Sequence, residues 1–563
     1  MTSRWIDLGA LADFPPDVLT LRKDGSERFV CVRRGDAVHA LADRCPHQGY
    51  PLSQGALQGD LLTCQWHNWK FDVQTGGCTF GGEDVRRYAT RVLGGRVHLD
   101  VAVDEAKEAA RAALGIERAV RDNDAARALR EGLRLDQVTR AAPDARLVQA
   151  FGVVARDGAA RAEYGFDHGL AALADLSSWA ERGWFLPDEA FLLATIAVAE
   201  PSVHLPARAA PTLDVSNADD PSEVIRALVD ERRSEAEARI RAVVRERGAE
   251  VAILEGLLPF ASRHLYDYGH GLIFLAKARE LARRFPEAAV DVIAAVTLHL
   301  AWATAETALP PFAATRAGLD RLRDLSLTSG TSWGEPDRDV FEAAVLKGER
   351  HAVEATVTAL SKGADPAALL RPIAHAAAVR LLRFDATWDA RPDVDVNVLD
   401  VTHAVTFAEA AIAFAPDAPA STTARLAVLA AGFVGKLRKG DGPPRTSRAT
   451  AHASLLSAAE ARDLPSALTM AFALDSADRR AAFVDLAPFL ALDAATRPIL
   501  YVHAVKNAEA LRRLEEADPL ADSAYLAALL AFTVPRRREL NIRRMARIAR
   551  TFMVDGRPPE GLY

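Results

Sequence analysis

The chain has 563 residues, of which 50% are hydrophobic and 26% are charged. This composition argues against global disorder, and the length is sufficient for a small domain followed by a large one. The formal net charge of −7 is mild for such a length. It therefore predicts neither nucleic-acid binding nor attachment to an anionic membrane surface.

The first hundred residues predict a small all-β domain. Residues 28–33 and 96–101 alternate or run apolar, and turns such as Gly76-Gly77 separate these segments. After Asp104 the strand signals give way to Ala, Leu, Arg and Glu at helical spacing. We therefore expect one domain over residues 1–104 and a large all-α domain over residues 105–563.

Two of the four cysteines belong to the strongest motif of the chain. Cys45-Pro46-His47 is followed, after sixteen residues, by Cys64-Gln65-Trp66-His67. This pattern resembles the Rieske [2Fe–2S] domain family. The resemblance implies that the two thiolates bind one iron of the cluster and that the two imidazoles bind the other. A tetrahedral zinc site with the same four ligands is the alternative.

The segment after the second motif departs from the high-potential type of Rieske protein. That type resembles Cys-x-x-His-Gly-Ser-x-Tyr, in which the Ser and Tyr hydroxyls donate to the cluster. Trp69 and Phe71 stand at those positions here, and neither has a hydroxyl. Fewer donors to the sulfurs imply a lower potential, as in the ferredoxin-like Rieske domains of oxygenases.

The other two cysteines, Cys31 and Cys78, fall outside this pattern and are predicted to be small packing residues. Because no cysteine follows Cys78, a disulfide framework is excluded for the rest of the chain. The first residues lack the apolar core of a secretory signal. Together these features favour a cytoplasmic protein.

Four histidines recur in similar short segments of the helical region. Each follows an aromatic residue or valine at short range and precedes Gly or Ala and then Leu or Val. They are His168, His270, His403 and His503. Segments containing proline, at residues 257–261, 370–374 and 486–490, lie upstream of three of them. The recurrence predicts fourfold pseudo-repeats within one all-α domain.

The residues around these histidines predict that the imidazoles point inward. Positions three and four residues further along share the face of each histidine, and they are small or apolar for the first three histidines. Four inward imidazoles could therefore converge on the pseudo-symmetry axis and bind a metal, since imidazole suits iron, copper and zinc. Four separate core histidines are the alternative.

The helical region also resembles the questin-oxidase-like family, notably at His270-Gly271-Leu272-Ile273. That family includes Baeyer–Villiger-type and ring-cleaving oxygenases that act on polycyclic aromatic polyketides. The resemblance implies a mononuclear non-haem iron with five protein ligands. These are His168, His270, His403, His503 and a carboxylated Lys506.

Lys506 also fits this role from its position, because it lies one helical turn after His503 on the same face. A lysine buried beside a cation loses its proton readily and can then react with carbon dioxide. Three other residues could supply the anionic ligand instead: Lys277, Glu306 and Glu409. Four further histidines fit the repeat less well and are expected in the core or at the surface, although the first two could line a pocket beside His270: His264, His299, His351 and His375.

Together, these features predict an oxidoreductase, and specifically an oxygenase. In this interpretation the [2Fe–2S] cluster passes electrons to the histidine-bound iron, which activates dioxygen against an apolar or aromatic substrate. An electron-transfer protein whose helical domain docks a partner enzyme, or a redox sensor, are the alternatives. No dinucleotide-binding glycine motif or P-loop is present, so an external reductase or ferredoxin is expected as electron donor. The substrate, the choice between mono- and dioxygenation and the oligomeric state stay open.

Overall fold

The protein was analysed as a computed structural model, which describes residues 3–139, 147–212, 219–303, 312–327, 335–391, 397–443, 445, 452–490, 498–535 and 541–556. The chain divides into two compact units. The first comprises Met1–Ala150 with Arg543–Tyr563, and the second comprises Phe151–Ile542. Within the described ranges, no helix has both the length and the apolar character needed to cross a bilayer.

Ten strands build two antiparallel sheets in the first unit. They are β1 (Trp5–Ala10), β2 (Thr20–Asp24), β3 (Glu27–Arg34), β4 (Ala37–Ala42), β5 (Ala56–Gln58), β6 (Leu61–Thr63), β7 (Lys70–Asp72), β8 (Cys78–Phe80), β9 (Arg87–Leu93) and β10 (Arg96–Asp100). The larger sheet has the order β1-β10-β9-β4-β3-β2, and the smaller one has the order β5-β6-β7-β8. The strands predicted at residues 28–33 and 96–101 correspond to β3 and β10, so the β prediction is confirmed.

The helices follow the strands, which confirms the predicted fold class of a small all-β domain followed by a large helical region. They are α1 (Glu105–Arg121), α2 (Ala125–Thr139), α3 (Val148–Arg161), α4 (His168–Glu181), α5 (Pro187–Ala199), α6 (Pro221–Val229), α7 (Arg233–Arg247), α8 (Ala249–Val251), α9 (Leu258–Ala261), α10 (His270–Arg284), α11 (Ala289–Leu300), α12 (Ala313–Arg321), α13 (Glu335–Lys347), α14 (Glu349–Ser361), α15 (Pro366–Arg383), α16 (Val398–Phe414), α17 (Ala420–Lys436), α18 (Leu455–Glu460), α19 (Leu464–Ala473), α20 (Ser476–Leu490), α21 (Pro498–Ala517), α22 (Ala524–Thr533) and α23 (Asn541–Met553).

Helices α1, α2 and most of α23 belong to the same compact unit as the strands, which therefore extends beyond residue 104. The Arg130 guanidinium of α2 donates to the buried carboxylate of Glu83, with Nε 2.8 Å from Oε1. The side chain of Gln137, also in α2, donates to the Met553 carbonyl of α23 at 2.5 Å. Because a buried charge needs a partner, the pair of Arg130 and Glu83 ties α2 to the strand region.

Four helices of the second unit form a closed ring. Helix α4 packs against α10, α10 against α16, α16 against α21, and α21 against α4. His168 and His270 are the first residues of α4 and α10, whereas His403 and His503 are the sixth residues of α16 and α21. The four recurring histidines therefore all lie near the N-terminal ends of the ring helices.

Two ion pairs inside the ring, of which that between Lys277 and Asp175 is buried, indicate the relative direction of its helices. Lys277 Nζ lies 2.7 Å from Asp175 Oδ1, and Arg513 Nη2 lies 2.9 Å from Glu280 Oε2. Both members of the first pair lie seven residues after the histidine of their own helix, and both members of the second lie ten residues after it. The helices therefore run parallel. Removing one partner of such a pair costs about 3–5 kcal/mol.

Candidate metal centres

Two loops of equivalent geometry carry the Cys and His motifs of the first unit. In each loop the cysteine N–H donates to the carbonyl five residues further along at 2.8 Å, and the cysteine carbonyl accepts from the N–H four residues along. That fourth residue is Gly49 in one loop and Asn68 in the other, with φ angles of 83° and 59°. Gly and Asn are the residues that adopt this left-handed conformation at least cost.

The four side chains of the motif converge between these loops. The thiols of Cys45 and Cys64 lie within hydrogen-bonding distance of each other, and the ring centroids of His47 and His67 are 4.5 Å apart. Backbone N–H groups donate to the sulfurs, from His47 to Cys45 and from Trp66 and His67 to Cys64. Two thiolates and two imidazoles with donors aimed at the sulfurs are the ligand set of a Rieske cluster.

The protonation states of these groups suit metal binding. The hydrogen bond between the two thiols lowers the pKa of Cys64 to about 6 and, together with burial, raises that of Cys45. Burial lowers the pKa of His47 to about 4. Burial instead raises the pKa of Cys31 to about 12 and also raises that of Cys78, so these two residues stay protonated.

Aromatic residues surround the ligands. The Trp69 ring stacks on His47 with centroids 4.7 Å apart, the Tyr50 ring stacks on Trp66 at 4.3 Å, and Phe71 is buried. Trp69 and Phe71 have no hydroxyl that could donate a hydrogen bond to the cluster. The lower reduction potential that the sequence implies stays a prediction.

The C-terminal segment of the first unit covers the first loop. The Phe552 ring lies so close to Gly49 that a Cβ at position 49 would be 2.3 Å from it. The guanidinium of Arg44, beside the loop, lies over the same ring, 5.7 Å from its centroid. Gly49 is therefore required both for its backbone conformation and for this close approach.

The four recurring histidines of the second unit also converge. His270 Nε2 lies 3.0 Å from His168 Nε2 and 2.9 Å from His403 Nε2, and His503 Nε2 lies 3.1 Å from His403 Nε2. The ligand atoms of His168, His403 and His503 all lie within 4.8 Å of one another. Four imidazoles from four ring helices thus face one point, as the sequence predicts.

The contacts of the Nδ1 atoms, on the outer side of the rings, indicate whether a proton or a lone pair of Nε2 faces that point. His503 Nδ1 donates to the Ile499 carbonyl at 2.7 Å, and His270 Nδ1 lies 3.0 Å from Asp267 Oδ2. A proton on Nδ1 leaves the Nε2 of both neutral rings as a bare lone pair. Hydrogen bonds could pair these nitrogens only two by two, from His168 to His270 and from His403 to His503. A cation at the centre satisfies all of them at once.

Burial keeps these imidazoles neutral. It lowers the pKa of His270 and lowers the pKa values of His168 and His403 well below the usual range. The neighbouring Lys506 ammonium acts in the same direction on all three. Neutral imidazole is the form that binds metal.

Asp267 stands in an unusual turn directly before His270. Asp267, Tyr268 and Gly269 have φ angles of 54°, 55° and 77°. Non-glycine residues in this region cost about 1–3 kcal/mol each, and such strain concentrates at functional sites. The turn brings the Asp267 carboxylate to His270 and stacks the Tyr268 ring on His403, with centroids 5.4 Å apart. Although burial raises the pKa of Asp267, the hydrogen bond from His270 lowers it overall.

Lys506 and Lys277 lie in different environments. Lys506 is fully buried, its Nζ has no hydrogen-bond partner among the described residues, and burial lowers its pKa to about 7. Lys277 is paired with Asp175 and Glu280, at 2.7 Å and 3.2 Å, and its pKa is raised. Glu409 accepts from Arg513 at 3.2 Å. The fourth alternative, Glu306, lies outside the described residues.

The remaining histidines lie outside the group of four. His299 has its ring centroid 6.3 Å from that of His270, and burial lowers its pKa to about 4. His264 stacks on Phe260 at 4.3 Å, and His351 is exposed. His375 lies between Asp522 and Glu342, whose hydrogen bonds outweigh burial and raise its pKa to about 9.

The sequence did not predict Asp267 as the partner of His270, nor Phe274 as the ring that stacks on it at 4.6 Å. An acid three residues before a histidine at a helix start is a signal that could have suggested the first contact. The second follows from the i, i+4 spacing on one helix face.

The Rieske [2Fe-2S] domain family matches residues 4–86 of the chain. Oxidoreductase NdmD of Pseudomonas putida is 35% identical over 79 residues, which make up 14% of this chain and 13% of that protein. The ferredoxin subunit of anthranilate 1,2-dioxygenase from Burkholderia cepacia is 32% identical over 101 residues, 18% of this chain and 94% of the subunit. The ferredoxin component of the naphthalene 1,2-dioxygenase system from Pseudomonas aeruginosa is 33% identical over 104 residues, 18% of this chain and 99% of the component.

The chain thus spans nearly the whole length of two small ferredoxins but only a small part of NdmD. The match assigns a [2Fe–2S] cluster rather than zinc to the two loops of the first unit. Because the family match ends at residue 86, the resemblance of the helical region to the questin-oxidase-like family stays a prediction. Through its N-terminal domain, the chain belongs to the Rieske [2Fe-2S] family, whose relatives include electron carriers of oxygenase systems.

Proposed function

We propose that the protein is an oxygenase in which electrons from the Rieske cluster reach a mononuclear iron held by His168, His270, His403 and His503. The observation that carries this proposal is the convergence of four Nε2 atoms from four helices, with separations of 2.9–3.1 Å, on one point. The chemistry that such a centre supplies when bound is reductive activation of dioxygen. The alternative, an electron-transfer protein that docks a partner, gives no reason for these four imidazoles to meet.

The spacing of the imidazoles suits right angles at a shared ion better than tetrahedral angles. Nitrogens held ~2.0–2.1 Å from one ion at right angles lie ~2.8–3.0 Å apart, whereas a tetrahedron of the same bond length separates them by ~3.3–3.4 Å. The three shortest separations are 2.9, 3.0 and 3.1 Å.

Aromatic residues exclude water from the sides of this site. The Phe274 ring stacks on His270 and meets the His168 ring edge to face, with the latter centroids 5.4 Å apart. The Tyr268 ring covers His403. Such apolar surroundings strengthen electrostatic interactions at the centre and suit an apolar or aromatic substrate.

Lys506 is the residue that we propose as the fifth, anionic ligand. Its buried Nζ lies 5.8 Å from the centroid of the Phe274 ring, which itself packs on His270 and His168. The unprotonated amine forms an N–C bond with carbon dioxide and releases one proton, which yields a carbamate. Lys277 cannot take this role, because its two carboxylate partners keep it protonated.

Replacing Lys506 by methionine is expected to abolish the carbamate and to weaken iron binding. The carbamate carbon should give a 13C NMR signal after exchange of the iron-free protein with 13C-labelled bicarbonate, and this signal should be absent from Lys506→Met. Lys362→Met, at an exposed lysine, is the matched control. Full iron binding by Lys506→Met would exclude the lysine from the ligand set.

Replacing Asp267 by asparagine is expected to lower the iron affinity about 10–100-fold, the usual effect of losing a carboxylate that orients a ligating histidine. The amide keeps the size of the side chain but not its charge, so His270 Nδ1 loses its ionic partner. Titration of the metal-free protein with ferrous iron measures this change. Asp478→Asn, at an exposed acid, should bind iron like the wild type, and equal affinities for all three proteins would contradict the assignment.

The rate at which the reduced cluster loses its electron to oxygen tests the proposed function. After anaerobic reduction and mixing with oxygen, the Rieske EPR signal should decay roughly tenfold or more slowly in His403→Ala than in the wild type, since loss of a ligand should cost at least as much as loss of a supporting residue. The exposed His351→Ala is the control. Equal decay in all three proteins would favour the docking alternative.

A further inference from the structure

The second unit contains a cavity of about 1080 Å3 that is open to solvent on one side. Its wall combines the ends of several helices with the segment after α12, and apolar side chains such as Leu228, Phe260, Leu319 and Leu325 contribute to it. Small-molecule sites typically have volumes of roughly 300–1,000 Å3 and predominantly apolar walls with a few polar groups. The cavity is therefore large enough for a ligand with several fused rings.

This cavity adjoins the histidine site through a second, smaller one. His264 and Ala303 line both cavities, and the smaller cavity, of about 40 Å3, is also lined by Asp267 and His299. Asp267 lies 3.0 Å from Nδ1 of His270. The wall of the large cavity is therefore connected with the proposed metal ligand His270 through His264 and Asp267.

The charges of the cavity wall are not balanced. Four arginines and two carboxylates of the described residues line it, namely Arg263, Arg316, Arg323, Arg425, Glu231 and Asp320. Arg323 and Asp320 form an ion pair at 3.0 Å. Among the described lining residues, arginines therefore outnumber carboxylates.

Arg425 is the least compensated of these cations. Its Nη2 donates to two hydroxyls, of Thr422 at 2.8 Å and of Ser262 at 3.3 Å, and its buried Nε has no partner. In the described part of the chain, no carboxylate forms an ion pair with Arg425 or with the neighbouring Arg263. Burial and then Arg263 lower the pKa of Arg425. Arg425 is half-buried and Arg263 is exposed, so an anion in the cavity can reach both guanidinium groups.

We infer that the cavity binds a hydrophobic organic anion, a ring system with a carboxylate or phenolate, whose charged group pairs with Arg425 and Arg263. The apolar body of the ligand would then lie against the leucines and Phe260, in the cavity that shares His264 and Ala303 with the smaller cavity beside Asp267. The guanidinium plane suits a carboxylate because it donates two parallel hydrogen bonds. This inference rests on the proposed function, because the bound anion would be the substrate of the proposed oxygenase.

Calorimetric titration of the full-length protein with 2-naphthoate and with neutral 2-naphthamide tests the inference. The wild type should bind the acid roughly tenfold or more tightly than the amide, as expected for hydrogen bonds to a charged group. Arg425→Gln should lose this preference and keep its affinity for the amide, whereas Arg425→Lys should keep part of the preference. Arg323→Gln is the matched control, because that arginine lines the same cavity but already has Asp320 as its partner.

The outcome separates this inference from the proposed function. His403→Ala should bind 2-naphthoate like the wild type, because Arg425 does not depend on the metal. The wild type could bind 2-naphthoate more tightly than 2-naphthamide, with a preference that depends on Arg425, and yet contain no third iron. In that case the cavity assignment stands and the oxygenase proposal fails. Equal affinity for acid and amide in the wild type, or a preference that survives Arg425→Gln, would overturn the cavity assignment whatever the iron content.

Discussion

His403→Ala is expected to lose the mononuclear iron and to keep the Rieske cluster. His403 Nε2 lies between the Nε2 atoms of His270 and His503, at 2.9 Å and 3.1 Å, so it is central to the proposed ligand set. Removing it leaves a gap that the three remaining imidazoles cannot close, since each is fixed on its own ring helix. The purified protein should then hold about two irons per chain instead of about three, with an unchanged cluster EPR signal.

Two measurements accompany that variant. His351→Ala, at an exposed histidine, should keep all of its iron. Thermal unfolding followed by circular dichroism should detect only a modest change in the metal-free protein, because the substitution creates a small cavity beside intact helices. If His403→Ala retains the third iron in a folded protein, then the four imidazoles do not form the site that we propose.

Cys64→Ala is expected to produce the opposite result. Cys64 is the predicted source of one of two thiolates for the same iron, and the loop around it is closed by backbone hydrogen bonds that alanine preserves. Without that thiolate the cluster cannot be held, so the visible absorption and the Rieske EPR signal should disappear together with about two irons per chain. The mononuclear iron should stay, because its proposed ligands belong to the other compact unit.

Cys78→Ala is the control for this variant, since Cys78 lies outside the ligand set and keeps a protonated thiol. It should retain the cluster and its absorption. Loss of both metals from Cys64→Ala would show that the helical unit depends on the cluster for its own metal. Retention of the cluster signal would contradict the assignment of Cys64 as a ligand.

Much of the geometry of both candidate sites could be predicted from local sequence. The cluster ligands lie in two short loops whose Cys and His spacing is itself the motif, so no long-range contact is needed to recognise them. The four histidines could be found because a similar short segment surrounds each of them. Their convergence follows from the ring of four parallel helices.

Other features depend on contacts that no local pattern reveals. The extension of the first unit beyond residue 104 rests on Arg130 and Glu83, which are 47 residues apart in the chain. The choice between Lys506 and Lys277 depends on which lysine finds carboxylate partners in the folded core. The contact of Asp267 with His270 requires a left-handed turn that bulky residues such as Tyr268 rarely adopt.

The large cavity could not be predicted from the sequence either, because it combines side chains from distant segments. Phe260, Leu319 and Arg425 are separated by more than a hundred residues overall, yet they line one space. A sequence pattern detects the face of a single helix, whereas such a cavity exists only where the ends of several helices meet.

The central claim is that this chain holds an iron centre besides its Rieske cluster. Iron and protein quantification of the anaerobically purified full-length protein, with the cluster counted by EPR after reduction, tests it most directly. The account predicts about three irons per chain, of which two belong to the cluster. A ratio of two irons to one fully occupied cluster, unchanged after incubation with ferrous iron, would contradict it.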